Sequence, residues 1–156
     1  MTEAAIPLPS RLAAALESGL AGLFLTVGPD GRPHAAFSWV AAMPSARGRT
    51  AGQVGLRIAI DSPSTSLSNV ATNARAAVQI IGSDNLLFLM KGTAKVTDTH
   101  AVPPGLSFAV VEMAVEDYKD QSWPLVSVSA LRYEWTDARM ADTERAVLRL
   151  LRGGRE

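Results

Sequence analysis

The chain has 156 residues, 47% of them hydrophobic, and its 15 lysines and arginines balance 15 aspartates and glutamates. That length suits one domain spanning 1–156 with a substantial buried core, and zero net charge excludes the basic excess of a nucleic-acid binder. Cysteine is absent, which rules out disulfides and thiolate chemistry; no leader-like start and no run of ~20 apolar residues is present, so a cytoplasmic protein without membrane contacts is expected.

From the N-terminus, residues 10–18 read as a short helix, with Ser10 as its cap, Leu12 and Leu16 one turn apart, and Gly19 ending it. Residues 23–27 form a first strand. The Gly-Pro-Asp-Gly sequence at 28–31 is hairpin chemistry, because proline presets φ and Asp-Gly tolerates positive φ. Residues 34–41 return as a second strand, followed by a polar loop over 44–53. A third strand at 54–60 and a fourth at 76–81 flank a hydroxyl-rich turn, residues 62–65, and a short helix over 66–73. The turn at 82–85 leads into a long strand over 86–96, inside which Gly92 marks a bulge or a close backbone approach.

Residues 108–116 fit both periodicities, but their alternation of Ala109, Val111, Met113 and Val115 favours a strand. A further strand is expected over 125–135, and an amphipathic helix closes the chain at about 141–152. Six or seven short antiparallel strands with a helix at each end describe a mainly β protein, a small barrel or sandwich.

The chemistry is sparse. His34 and His100 are the only imidazoles, neither with a second ligand at metal-binding spacing, so no metal site is expected. There is no Gly-x-Ser-x-Gly elbow, no Walker sequence and no dinucleotide glycine fingerprint. Glu112, Glu116, Asp117 and Asp120 read as a solvated acidic face. The turn with Ser62, Ser64, Thr65 and Ser66 stands out, because a strand that delivers hydroxyls and unpaired N–H groups to a helix start is suited to an anion. An ordinary capped helix would look the same. Trp39, Trp123 and Trp135 could stack on a planar ligand or simply fill the core. A protein that binds a phosphorylated aromatic ligand yet owns no strong acid–base pair would leave the chemistry to a cofactor.

Three segments in this order, Leu-Thr-Val-Gly-Pro-Asp-Gly-Arg-Pro-His at 25–34, Ile-Asp-Ser-Pro-Ser-Thr-Ser-Leu-Ser-Asn-Val-Ala-Thr-Asn-Ala-Arg at 60–75 and Lys-Gly-Thr-Ala at 91–94, resemble the pyridoxamine 5′-phosphate oxidase-like, FMN-binding split-barrel superfamily. The resemblance covers about residues 15–135. It implies a six-stranded antiparallel split β-barrel, a homodimer with flavin nucleotide at the interface, and a turn that holds the FMN phosphate. Ser64 matches the family's turn serine, whereas Ser66 stands where a lysine is expected and Ala74 replaces the proline before Arg75. Ala36, Val40, Leu87 and Leu89 occupy positions where the oxidase proper carries charged or amide contacts. Its C-terminal Arg-x-His is absent, so formation of pyridoxal phosphate is not expected. Arg57, Arg47 or Arg49 could supply the missing positive charge.

The resemblance therefore implies an FMN-binding oxidoreductase. Ser62, Ser64, Thr65, Ser66 and Arg57 would surround the phosphate, with Trp39 or Trp123 near the ring and catalytic residues unassigned. The alternative is a non-catalytic module holding a flavin, a deazaflavin or another small ligand on the same barrel.

Overall fold

The computed structural model describes residues 6–43, 54–103 and 105–154. In chain order it comprises α1 (Ser10–Ser18), β1 (Leu20–Val27), β2 (Pro33–Ala42), β3 (Gly55–Asp61), α2 (Thr65–Thr72), β4 (Arg75–Gly82), β5 (Leu86–Val102), β6 (Leu106–Asp120) and α3 (Ala138–Leu151). The six strands close into an antiparallel barrel in the order β1-β2-β3-β6-β5-β4. This is the mainly β, six-stranded barrel expected of the sequence, with three flanking helices.

Alternation builds the interior. Successive side chains on a strand point to opposite faces, so Phe24, Val40, Ile58, Val78, Phe88 and Val111 all turn inward and form one buried cluster. Leu12 and Leu16 of α1 join it, both fully buried, so α1 plugs the barrel with the one-turn pair that its sequence announces. A second, smaller apolar layer lies outside the wall. There the small residues Ala41 and Ala59, with Phe108 and Val110, receive Val147 and Leu151 of α3. Short side chains on β2 and β3 let the helix approach closely, and burial of each of its two anchors contributes about 1.5–3 kcal/mol.

Gly92 sits at a register shift between β5 and β6. A Cβ there would lie 1.8 Å from the carbonyl oxygen of Ala114, so the bulge and the close approach read from the sequence are both present. The β4–β5 turn places Asp84 and Asn85 at φ 59°, a left-handed conformation that Asp and Asn tolerate better than most residues.

Three expectations are corrected. Residues 125–135 form no strand: β4 already pairs with β1 on one side and β5 on the other, so the closed wall offers no edge. The segment instead makes isolated contacts, Asn85 N–H to Val128 O at 3.2 Å and Leu131 N–H to Ile81 O at 3.2 Å. The last helix starts at Ala138 rather than 141 because Asp137 caps it, accepting the Arg139 N–H at 2.9 Å. At the first helix Pro9 takes the cap position and Ser10 is already helical. The 44–53 loop, with Arg47 and Arg49, lies outside the described residues. Among those described, no helix is long and apolar enough to cross a membrane.

Candidate functional site

The hydroxyl-rich turn leaves β3 at Asp61 and enters α2 after a cis Ser62–Pro63 peptide. The Ser62 N–H donates to Ser107 O at 3.1 Å, fastening the turn to the start of β6. Ser64 is the cap expected of a serine here: its Oγ accepts the Leu67 N–H at 3.4 Å, and its carbonyl accepts the Ser68 N–H at 3.2 Å. Ser62 and Ser64 are half-buried and Thr65 is exposed. The N–H groups of Thr65 and Ser66 belong to a first helical turn, where no intrahelical acceptor exists, and the helix dipole adds partial positive charge.

Ser66 faces the other way. The inner side of α2 is formed by Ser66, Asn69 and Val70, all buried, at the one-turn spacing of a single helix face. Asn69 Nδ2 donates to Thr26 Oγ1 at 3.0 Å, which fixes the helix phase and sends the Ser66 hydroxyl inward, where it has no hydrogen-bond partner. Three hydroxyls therefore reach the surface of the turn, while Ser66 presents its backbone N–H. The phase was readable in the sequence: Asn69 and Val70 share a face with residue 66.

Arg57 is buried on the outer wall beneath α3. Its guanidinium lies 3.5 Å from Glu112 Oε1 and 3.5 Å from Leu151 O, so it is committed to an ion pair and to the end of the last helix. Trp39 lies opposite Ala59 in the β2–β3 ladder, three residues before Ser62 and so about 10 Å along the strand. Its ring centroid is 5.5 Å from Phe37 and 5.7 Å from Trp135, and its Nε1 donates to Tyr133 Oη at 3.4 Å. Trp123 is 69% exposed and follows the Asp120 end of β6. Asp61 pairs with Phe108 at the other end of that strand, about 40 Å of strand away. A single chain thus brings the four turn residues together and Trp39 near them, but not Arg57 or Trp123.

Other groups have settled roles. The acidic residues of β6 are partnered rather than merely solvated: Glu112 with Arg57, Asp117 with Lys91 at 3.8 Å, and Asp120 with Arg11 at 3.6 Å. Ser122 also donates to Asp120 and, with Arg11, holds its carboxyl below the usual carboxylate range. His100 stacks on Phe108, centroids 5.4 Å apart. Among the described residues no three His, Asp or Glu side chains gather as metal ligands.

Glu144 was not singled out in the sequence. On α3 it accepts from Tyr133 Oη and, at 2.6 Å, from Trp135 Nε1, and these partners join Phe37 and Trp39 in one aromatic cluster. Burial, and hydrogen bonding to Glu144, push the Tyr133 phenol above its ordinary pKa. Only the repeated aromatic-x-aromatic spacing, at 37 and 39 and again at 133 and 135, hinted at this.

No protein-family model and no curated protein sequence matches the chain. Among solved structures it is similar to an "F420 reductase" at 20% identity and TM-score 0.52, covering 73% of this chain and all of that one. A flavin reductase domain protein from Arthrobacter sp. FB24 is 12% identical with TM-score 0.47, the match covering 81% of this chain and 98% of that one. Flavoredoxin from Methanosarcina acetivorans is 9% identical with TM-score 0.43, over 90% and 98% of the respective chains. At these identities the likeness is one of fold.

Proposed function

We propose that this protein is a flavin-binding oxidoreductase of the pyridoxamine 5′-phosphate oxidase-like type, holding FMN by its phosphate at the β3–α2 turn. The observation that carries the reading is the turn itself. Ser62, Ser64 and Thr65 present hydroxyls at the start of α2, where two backbone N–H groups lack helical acceptors. The barrel likeness to an "F420 reductase" supports it. These groups fit a phosphate by hydrogen bonding and dipole, with Trp39, about 10 Å along the strand, to receive the ring. The flavin would supply the redox chemistry; the protein's part is to grip and orient it.

Among the described residues, the positions read for phosphate binding supply no free cation, while Arg47 and Arg49 lie outside them. Ser66 replaces the lysine implied by the family resemblance, and Arg57 is held by Glu112. A missing charge-assisted contact weakens binding by about 1.5–3 kcal/mol, on the order of tenfold to hundredfold in affinity. We also propose a homodimer, in which the exposed Trp123 would reach the other copy's flavin. Pyridoxal phosphate formation is not part of the proposal, because residues 147–156 carry no Arg-x-His sequence.

The test is the visible absorption of the purified protein before and after adding FMN and removing the excess. A retained flavin band, lost in Ser64→Asp, is the expected result. Aspartate is itself a good helix cap, so that variant keeps α2 while setting negative charge against the phosphate. A protein that stays colourless at micromolar FMN, or a Ser64→Asp variant that still binds it, would overturn the assignment.

The commitment of Arg57 favours a second reading, a non-catalytic module that stores or senses a flavin, a deazaflavin or another small ligand. Cofactor-dependent oxidation of reduced nicotinamide by the loaded protein would count against that alternative.

A further inference from the structure

A cavity of about 500 Å³ opens at the other end of β1, between α1, the β4–β5 turn, residues 130–133 and α3. Its wall is mainly apolar, with Leu20, Ile81, Leu131 and Leu148, and its polar side carries Tyr133 and Glu144. Thr26, which anchors α2 near the phosphate turn, lies six residues along β1 from Leu20, about 20 Å. The cavity is therefore separate from the proposed flavin turn.

Its electrostatics are one-sided. Glu144 is half-buried and accepts only from neutral donors, the Tyr133 hydroxyl and the Trp135 indole. Among the described residues no lysine or arginine pairs with it. Arg11 also lines the cavity, but its guanidinium is spent elsewhere. It donates to Asp84 O at 3.0 Å, lies 3.6 Å from Asp120 and sits 5.5 Å over the Phe88 ring. Among the described residues, the carboxylates of Glu144 and Asp84 thus border a space whose lining guanidinium, that of Arg11, is already engaged, as is Arg152 at its rim, which donates to Ser18 O at 3.2 Å. A carboxylate withdrawn from water gains from an opposite charge, and an aromatic face beside it attracts cations further.

We propose that this cavity is a binding site for a small organic ammonium ion. The ammonium would meet the Glu144 carboxylate and the Tyr133 ring, and the ligand's hydrocarbon part would lie against Leu20, Ile81 and Leu148. Tyr133 and Trp135 act as positioning residues, because their two hydrogen bonds hold the carboxylate toward the cavity side of α3.

The experiment is a titration of the full chain with benzylamine, benzyl alcohol and benzoate, read by the indole N–H signals of its three tryptophans in nitrogen–proton correlation spectra. Benzylamine is expected to shift the Trp135 signal saturably, while the neutral alcohol and the anion do not. Glu144→Gln, which keeps an acceptor oxygen but loses the charge, should weaken benzylamine binding at least tenfold. Ala130→Phe, which fills the cavity and leaves Glu144 intact, should abolish it even if the glutamine variant folds poorly. Asp142→Asn, an exposed acidic site paired with Arg145, should change nothing. No saturable shift, equal binding of benzyl alcohol, or unaltered binding by either cavity variant would overturn the proposal. Benzylamine binding that persists in Ser64→Asp would show that the site stands whether or not the flavin assignment does.

Discussion

At the Thr26 end of β1, α2 is fastened by a buried amide–hydroxyl bond between Asn69 and Thr26, beside Val70, which joins the barrel core. At the Leu20 end, α1 drives Leu12 and Leu16 into the barrel while α3 caps the outer wall, and a cavity of about 500 Å³ remains between them. The first end adds a directional polar bond to its packing, whereas the second relies on bulk. Polar fastening fixes the phase of a two-turn helix within one residue, which is what the proposed phosphate turn would need. Apolar closure tolerates space, which is what a ligand pocket needs.

The strongest way to break the comparison is to remove bulk. Leu16→Ala deletes a fully buried side chain and should cost about 2–5 kcal/mol in chemical denaturation, with a smaller loss if the neighbours collapse onto the gap. Next, Asn69→Ala leaves Thr26 Oγ1, which is 2% exposed, without its partner; a loss of about 1–3 kcal/mol is expected. That variant should also reduce any flavin retention, because the turn rides on the helix, whereas Leu16→Ala should leave retention unchanged in the folded fraction. If both act equally on retention, the two ends are not independent.

The smallest effect concerns pH. The phenol of Tyr133 is raised above its ordinary value by burial and by Glu144, so its contribution to stability is complete below the unfolded tyrosine pKa of about 10. It is lost as pH rises toward the folded value. The denaturation midpoint should therefore fall with pH above about 10 in the natural protein and fall less steeply in Tyr133→Phe. Identical slopes would mean that the hydroxyl is solvated.

Much of the barrel was legible because its strands alternate in the plain way, and because Gly92 and the 28–31 and 82–85 turns carry residues with few other uses. The errors share a cause. Alternation over 125–135 predicted a strand from local pattern, but pairing needs a free edge, and closure of β1 on β4 removes it. The direction of Arg57 is decided by Glu112, 55 residues away in sequence, which no local spacing reports. Glu144 and its aromatic partners likewise come together from β2, an irregular segment and α3. Ser66 is the instructive case: a family likeness drew attention to its identity, while the helix phase set by Asn69 decided where its hydroxyl points.

The strand order has a consequence for how the molecule assembles. β1, β2 and β3 form one antiparallel meander and β4, β5 and β6 a second, and each can grow from contacts between strands adjacent in sequence. Only the β1–β4 and β3–β6 ladders join them. Those seams pair distant residues, so their loop-closure entropy makes them the slow step of folding. The chain crosses from one half to the other through Ser62–Pro63, Ser64 and α2. A phosphate clasped at that crossing would act as a rivet between the halves, so that ligand affinity and barrel closure rise and fall together.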